Sequence, residues 1–139
     1  MKFILALLAC AASTLAMADT GFKNVPPLLD KSIKAGGVTS AQFEGGVLRA
    51  QLNKSEVSEL VYGTFIFHNI CAKEWYEPQQ FASLGLNRVE LLNAAGNQGF
   101  AFDARGDVCT EMGKLGKNFR NFIAQYTVAC AAGGCPAQR

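Results

Sequence analysis

A single histidine and a single tryptophan are present in the 139 residues, and no block of like charges occurs anywhere. These scarcities exclude a good deal. With His68 as the one imidazole, any serine or cysteine nucleophile paired with histidine has to use it, and no Gly-x-Ser-x-Gly turn presents a serine. Acidic and basic residues are interspersed, without the clustered Lys and Arg that hold nucleic acid or an anionic lipid surface. Gly96-Asn97-Gln98-Gly99 lacks the lysine that follows a phosphate-cradling loop and suits a turn between strands. No apolar run reaches the roughly 20 residues of a spanning helix. Nothing in the sequence calls for a cofactor.

What is present begins with an address. Lys2, the apolar run Phe3 to Ala12 and the small-x-small triplet Ala16-Met17-Ala18 have the form of a secretory signal peptide, with cleavage expected after Ala18. A lipid-attachment reading of Leu7-Leu8-Ala9-Cys10 leaves an unusually short charged and apolar region before it, and simple cleavage is preferred. The mature part, residues 19–139, is long enough for one domain and too short for two. Without Lys2, twelve Lys and Arg face eleven Asp and Glu, a net charge of +1 that nominates no partner. The expected location is the periplasm or the secreted space, where thiols become disulfides.

Periodicity points to an α+β domain. Pro26 opens a helical segment with Leu28, Leu29 and Ile33 on one stripe, stopped by Gly36-Gly37. Thr39 and Gln42 read as a capping box for a second segment, although 47–52 fits a strand equally well. Asn53 and Glu56 form another capping box. Val57, Leu60, Val61, Phe65, His68, Cys71, Ala72 and Trp75 then follow at helical spacing, and a helix is preferred over a strand at 64–70. Leu86 to Leu92 and Gly99 to Ala104 are expected to form an antiparallel hairpin covering a core on one side only. Val108 to Cys130 carries a continuous apolar stripe expected to form one long helix capped by Asp107, with Gly113 and Gly116 as weak points. The predicted architecture is therefore two long helices packed on an antiparallel hairpin or small sheet, braced by two disulfides, with a partly mobile tail at 132–139.

Four cysteines remain after cleavage, and they can pair in three ways. On one unbroken helix Cys109 and Cys130 stand about 31 Å apart, far beyond disulfide reach. The short link from Cys130 also keeps Cys135 from reaching Cys109. Cys71–Cys109 and Cys130–Cys135 remain. Zinc spacing is absent, so no metal site is expected.

Two acidic groups are candidates for hydrolysis: Asp103, Asp107 and Glu111, and Glu74 with Glu77. Helix capping and the helix dipole account for the first group, and an ordinary helix end for the second. His68 is expected to pack half-buried rather than to act as a base. Trp75, Tyr76 and Phe81, gathered around Pro78, are the residues expected to touch a partner. The functional expectation is an exported, non-enzymatic binding protein of inhibitor, immunity or adaptor type that covers another exported or envelope protein. The alternatives are a subunit of an envelope assembly and a small carboxylate-dependent hydrolase.

Overall fold

A computed structural model describes residues 21–137, so the expected signal peptide at 1–18 lies outside the described residues. The chain forms a mixed α/β domain on one six-stranded sheet with the strands in sequence order. The first strand, β1 (Phe22–Lys23), leads through α1 (Pro27–Ala35) to β2 (Val38–Glu44), which lies parallel to it. A hairpin at Gly45-Gly46, both at positive φ, turns β2 into antiparallel β3 (Val47–Leu52). Gly46 also packs close to the Gly85 carbonyl, so two demands coincide there. The expected helical segment after Thr39 is therefore a strand pair. The β-branched and alternating residues of 38–52 outweigh the capping-box pattern.

From β3 the chain crosses over in helices to β4 (Arg88–Leu92), which runs parallel to β3. The crossover is α2 (Glu59–Phe65), a π-helical turn (Ile66–Cys71) and α3 (Ala72–Tyr76), followed by the short α4 (Pro78–Ser83). Helix is thus found at 64–70, but it starts later than expected: Ser58, not Asn53, accepts a hydrogen bond from the Val61 N–H. The π turn has Ala72 N–H reaching Phe67 O, five residues back. The widened turn leaves Asn69 O to accept a bond from Ser32 Oγ, while Asn69 Nδ2 donates to Ser32 O. Gly36 sits against Phe65 and Asn69 so closely that a Cβ there would clash, which locks α1 onto this turn.

The expected hairpin is present as β4 and β5 (Gly99–Asp103), antiparallel, with Val89 opposite Phe102 and Leu91 opposite Phe100. Its far side is not open to water. Arg88 and Glu90 are both buried, because the sheet extends on both sides and the C-terminal segment crosses that face.

The largest departure from expectation is at the end of the chain. In place of one helix over 108–131, α5 (Val108–Gly113), a 3-10 turn (Gly116–Asn118) and α6 (Phe119–Gln125) follow one another, then β6 (Thr127–Cys130). Gly116 at positive φ breaks the helix, and Thr127 and Val128 are better suited to a strand. Asp107 occupies the N-cap position of α5, but its side chain makes no capping bond. Among the described residues there is thus one long, π-interrupted helix where two were expected, and the expected hairpin is the β4–β5 part of a six-stranded sheet.

The helices bury one sheet face. Leu48, Val89, Leu91 and Phe102 meet Leu29, Ile33, Ile66, Ile70 and Met112 in a continuous core. On the other face Glu90 accepts from Arg49 Nε at 2.7 Å and from Arg88 Nε at 3.0 Å. Two disulfides complete the frame, Cys71–Cys109 and Cys130–Cys135, the pairing expected from the sequence. The first joins the π turn to α5 within the core, and the second fastens the tail beside β6.

The two bonds should differ in weight. Replacing Cys71 and Cys109 together by alanine is expected to lower unfolding free energy by about 4 kcal/mol, against about 2 kcal/mol for the Cys130–Cys135 pair, from the loops they close. Denaturant titration checks this, and equal losses would show that loop closure does not govern the difference.

Candidate functional site

The acidic groups do not converge on one centre. Asp103 takes a two-pronged contact from Arg105, with Nε to Oδ1 at 2.9 Å and Nη2 to Oδ2 at 2.8 Å. Glu111 pairs with Lys114 at 3.1 Å, and Glu74 accepts a hydrogen bond from Thr110 Oγ1. Glu77 is exposed at the junction of α3 and α4. Glu74 and Asp107 do line one cavity of about 300 Å³, together with Phe81, Asn87 and Arg105. Asp103 and Glu111 do not line it. Among the described residues, no group of three or more His, Cys, Asp and Glu is placed to hold a metal ion.

His68 is exposed, in edge contact with Phe67, rather than half-buried as expected. The π turn rotates the helix by an extra residue, which carries position 68 off the apolar stripe.

The aromatic trio is divided by the fold. Trp75 Nε1 donates to Cys109 O at 2.8 Å, and the ring lies edge-on to Phe67 with centroids 4.8 Å apart. A Cβ on Gly113 would fall 2.8 Å from the same indole, so α5 presses directly on Trp75. Phe81 is buried. Tyr76 is 82% exposed and is the member of the trio presented to solvent.

A larger concavity, about 740 Å³, opens between α2 and α6 above β5 and β6. Phe100, Thr127 and Ala129 form its floor. Leu60, Tyr62 and Gly63 supply one wall, and Ile123 and Ala124 the other. Glu59 on α2 and Arg120 on α6 put opposite charges on the two rims. Leu60 is 54% exposed, an unusual position for a large apolar side chain in the middle of an apolar stripe.

The polar groups at the base of this groove bond to one another. Thr127 Oγ1 donates to Ile123 O at 2.7 Å, which spends its one proton. Tyr62 Oη, 2.7 Å away, is therefore the donor to Thr127 Oγ1. Burial pushes the Tyr62 phenol up, and the Thr127 bond opposes it only in part, so the ring stays neutral at any physiological pH. Its ring packs on Phe100 with centroids 5.0 Å apart. The groove is a largely apolar trough with a fixed hydrogen-bonded base, and Ser58, Glu59, Arg120 and Asn121 are the polar residues along its sides.

Sequence periodicity places Leu60 and Ile123 in apolar helical stripes and Phe100 on the core side of the hairpin, and gives no sign of the groove they share. The missed signal was the step from helix-forming Phe119–Gln125 to β-branched Thr127-Val128. It ends the helix and leaves its last turn standing beside α2.

Asp103 offers a check on the electrostatics. The hydrogen bonds donated by the Arg105 side chain hold its carboxyl below the usual carboxylate range, helped by the Arg105 N–H and charge and by Arg88, with partial burial opposing. A depressed folded-state pKa contributes stability above the unfolded value near 4, and that contribution disappears as pH falls through the folded value. Arg105→Gln should raise the Asp103 midpoint towards about 3.9, read by carboxyl NMR titration. The variant and parent should converge in stability at low pH, and an unmoved midpoint would remove Arg105 as the cause.

Compared with models of known protein families, with curated proteins and with solved structures, the chain matches none.

Proposed function

We propose that this chain is an exported, non-enzymatic binding protein that covers a protein partner, with the groove between α2 and α6 as its contact surface. The observation that carries this reading is Leu60, over half exposed on the rim of an apolar trough whose basal polar groups, Tyr62 and Thr127, are already bonded to each other. Exposed apolar surface rimmed by charge is characteristic of protein contact sites. The partner chemistry that fits is an apolar side chain on a segment whose flanking charges complement Glu59 and Arg120. Tyr76, on the surface at the end of α3, is a second contact candidate.

Export is supported by the form of residues 1–18 and by the two disulfides, which are compatible with an extracellular or periplasmic location. Among the described residues no helix is long and apolar enough to cross a membrane. Such a surface is consistent with an inhibitor, immunity or adaptor role, because masking a partner requires a rigid contact face and no chemistry of its own.

The hydrolase reading rests on Glu74 and Asp107 in the smaller cavity. It is weaker. The Glu74 carboxylate is engaged by Thr110, and Asp107 is exposed to solvent.

Envelope extract passed over the immobilised mature protein, with captured proteins identified and their affinities measured, tests the reading. One stoichiometric protein partner is expected, and Leu60→Asp should weaken it by about tenfold or more while leaving the melting temperature near that of the parent. Capture unaffected by Leu60→Asp would move the contact away from the groove. Glycoside cleavage by the parent protein, lost in Glu74→Gln or Asp107→Asn, would replace the reading by the hydrolase one.

A further inference from the structure

The two edges of the sheet are built differently. β1 is two residues long, carries Lys23, and is followed two residues later by Pro26-Pro27, after Asn24-Val25. Short length, lysine and proline are the usual devices that keep an edge from pairing with another chain. β6 has none of them. No charged residue occurs between Arg120 and Arg139, and β6 itself reads Thr-Val-Ala-Cys.

The hydrogen-bond register shows which groups that edge offers. Asp103 N–H donates to Tyr126 O at 2.8 Å, and β5 pairs with β6 with Ala101 opposite Val128 and Gly99 opposite Cys130. Antiparallel pairs alternate, so Val128 and Cys130 turn their backbone groups to β5, and Thr127 and Ala129 turn theirs outward. Ala131 points the same way, but it is already bonded in both directions to Gly134, within the loop that Cys130–Cys135 closes. The open part of the edge is thus confined to Thr127 and Ala129, placed symmetrically about Val128.

We propose that β6 is a self-association edge, and that its occupant is β6 of a second copy of this chain, paired antiparallel about a two-fold axis at Val128. In that register Thr127 of each copy exchanges N–H and C=O bonds with Ala129 of the other, and Val128 faces its own counterpart. A two-fold axis requires a surface complementary to itself, and this one is. Its lack of charge means that two copies meet without repulsion. A four-residue strand alone falls short of the roughly 800 Å² per partner of a stable interface. The association expected from the strand pairing is therefore weak and concentration-dependent, which is what a dilution series reads. A perpendicular two-fold axis also keeps both helical faces on the same side, so the two grooves lie side by side. This goes beyond the partner-binding reading and does not depend on it.

The test compares the purified exported chain with Ala129→Pro and Val128→Lys by light scattering across a concentration series, with amide exchange read at 127–130. Proline at 129 removes an outward donor and none of the bonds to β5, since Ala129 is not bonded to that strand. The parent should form dimers as concentration rises, with the Thr127 and Ala129 amides slowing in step while Val128 is protected throughout. Ala129→Pro should weaken association by about tenfold or more with Val128 protection retained, and Val128→Lys should act in the same direction. A parent that stays monomeric at every concentration overturns the proposal. So does a dimer that survives Ala129→Pro, or one whose Thr127 and Ala129 amides exchange as fast as in the monomer. Loss of Val128 protection in Ala129→Pro would mark a misfolded variant, in which case Val128→Lys and the parent's amide pattern decide.

Discussion

The Cys71–Cys109 disulfide is the constraint on which the rest of the molecule depends, because it joins two elements whose packing decides everything after them. Both cysteines are buried in the core, one in the π turn of the crossover helix and the other in α5. Around the bond, Trp75 donates to Cys109 O and Gly113 lies under the indole, so the contact of α5 with the π turn and α3 is covalent, hydrogen-bonded and close-packed at once. A crossover of helices between parallel strands and a helix beyond β5 have no reason of connectivity to touch. Held together here, they fix where α5 ends. The break at Gly116 then sends α6 back towards β6 along the same sheet face.

The two sheet faces meet different physical requirements. On the helical side apolar residues are removed from water in one continuous core. On the other side burial involves charge: Glu90 lies between Arg88 and Arg49, and Arg88 also donates to the Pro136 carbonyl. Removing two charges from water is costly, and the attraction between them offsets this only with well-placed bonds. Glu90 has one oxygen for each arginine, and the main-chain carbonyl of the tail takes a further donor. The tail is thereby fastened at two points, the Cys130–Cys135 loop and the Arg88 contact. That is why the residues from Ala131 to Ala137 follow a defined path across the sheet although they are rich in glycine and alanine.

How much of this the amino-acid order reveals depends on the range of the interaction that decides it. Helix α1 is legible, because Pro26-Pro27, the Leu29 and Ile33 stripe and Gly36 are local signals that agree. The β4–β5 hairpin is legible for the same reason. The disulfide pairing came out as expected although one premise behind it failed: no helix runs from Cys109 to Cys130. The pairing survives because β6 carries Cys130 to the sheet edge, beside the returning tail. The end of the chain is not legible, because an apolar residue every three or four positions fits Val108 to Cys130 whether or not the helix continues. Only the small preferences of Gly116, Thr127 and Val128 oppose it, and the sheet edge that rewards them is formed by residues far away in sequence. β2 and β3 were obscured in the same way by Thr39 and Gln42, a capping pair by spacing alone.

The groove is a direct consequence of that break. A helix continuing through 131 would have laid one unbroken apolar stripe over the hairpin and closed the space above Phe100. Instead α6 ends after seven residues, the chain drops into β6, and the small side chains of Gly63, Ala124 and Ala129 leave the space between α2 and α6 unfilled. Tyr62 and Thr127 brace the base of that space against collapse through their mutual hydrogen bond. A hollow formed by incidental loose packing would be expected to close on its apolar lining or to leave polar atoms unpaired. Here every buried side-chain nitrogen and oxygen among the described residues has a partner, and Leu60 still stands out at the rim. A frame so completely satisfied inside, yet leaving a large apolar residue in water beside an open trough, places the unmet part of its surface energy at that rim, where another molecule can cover it.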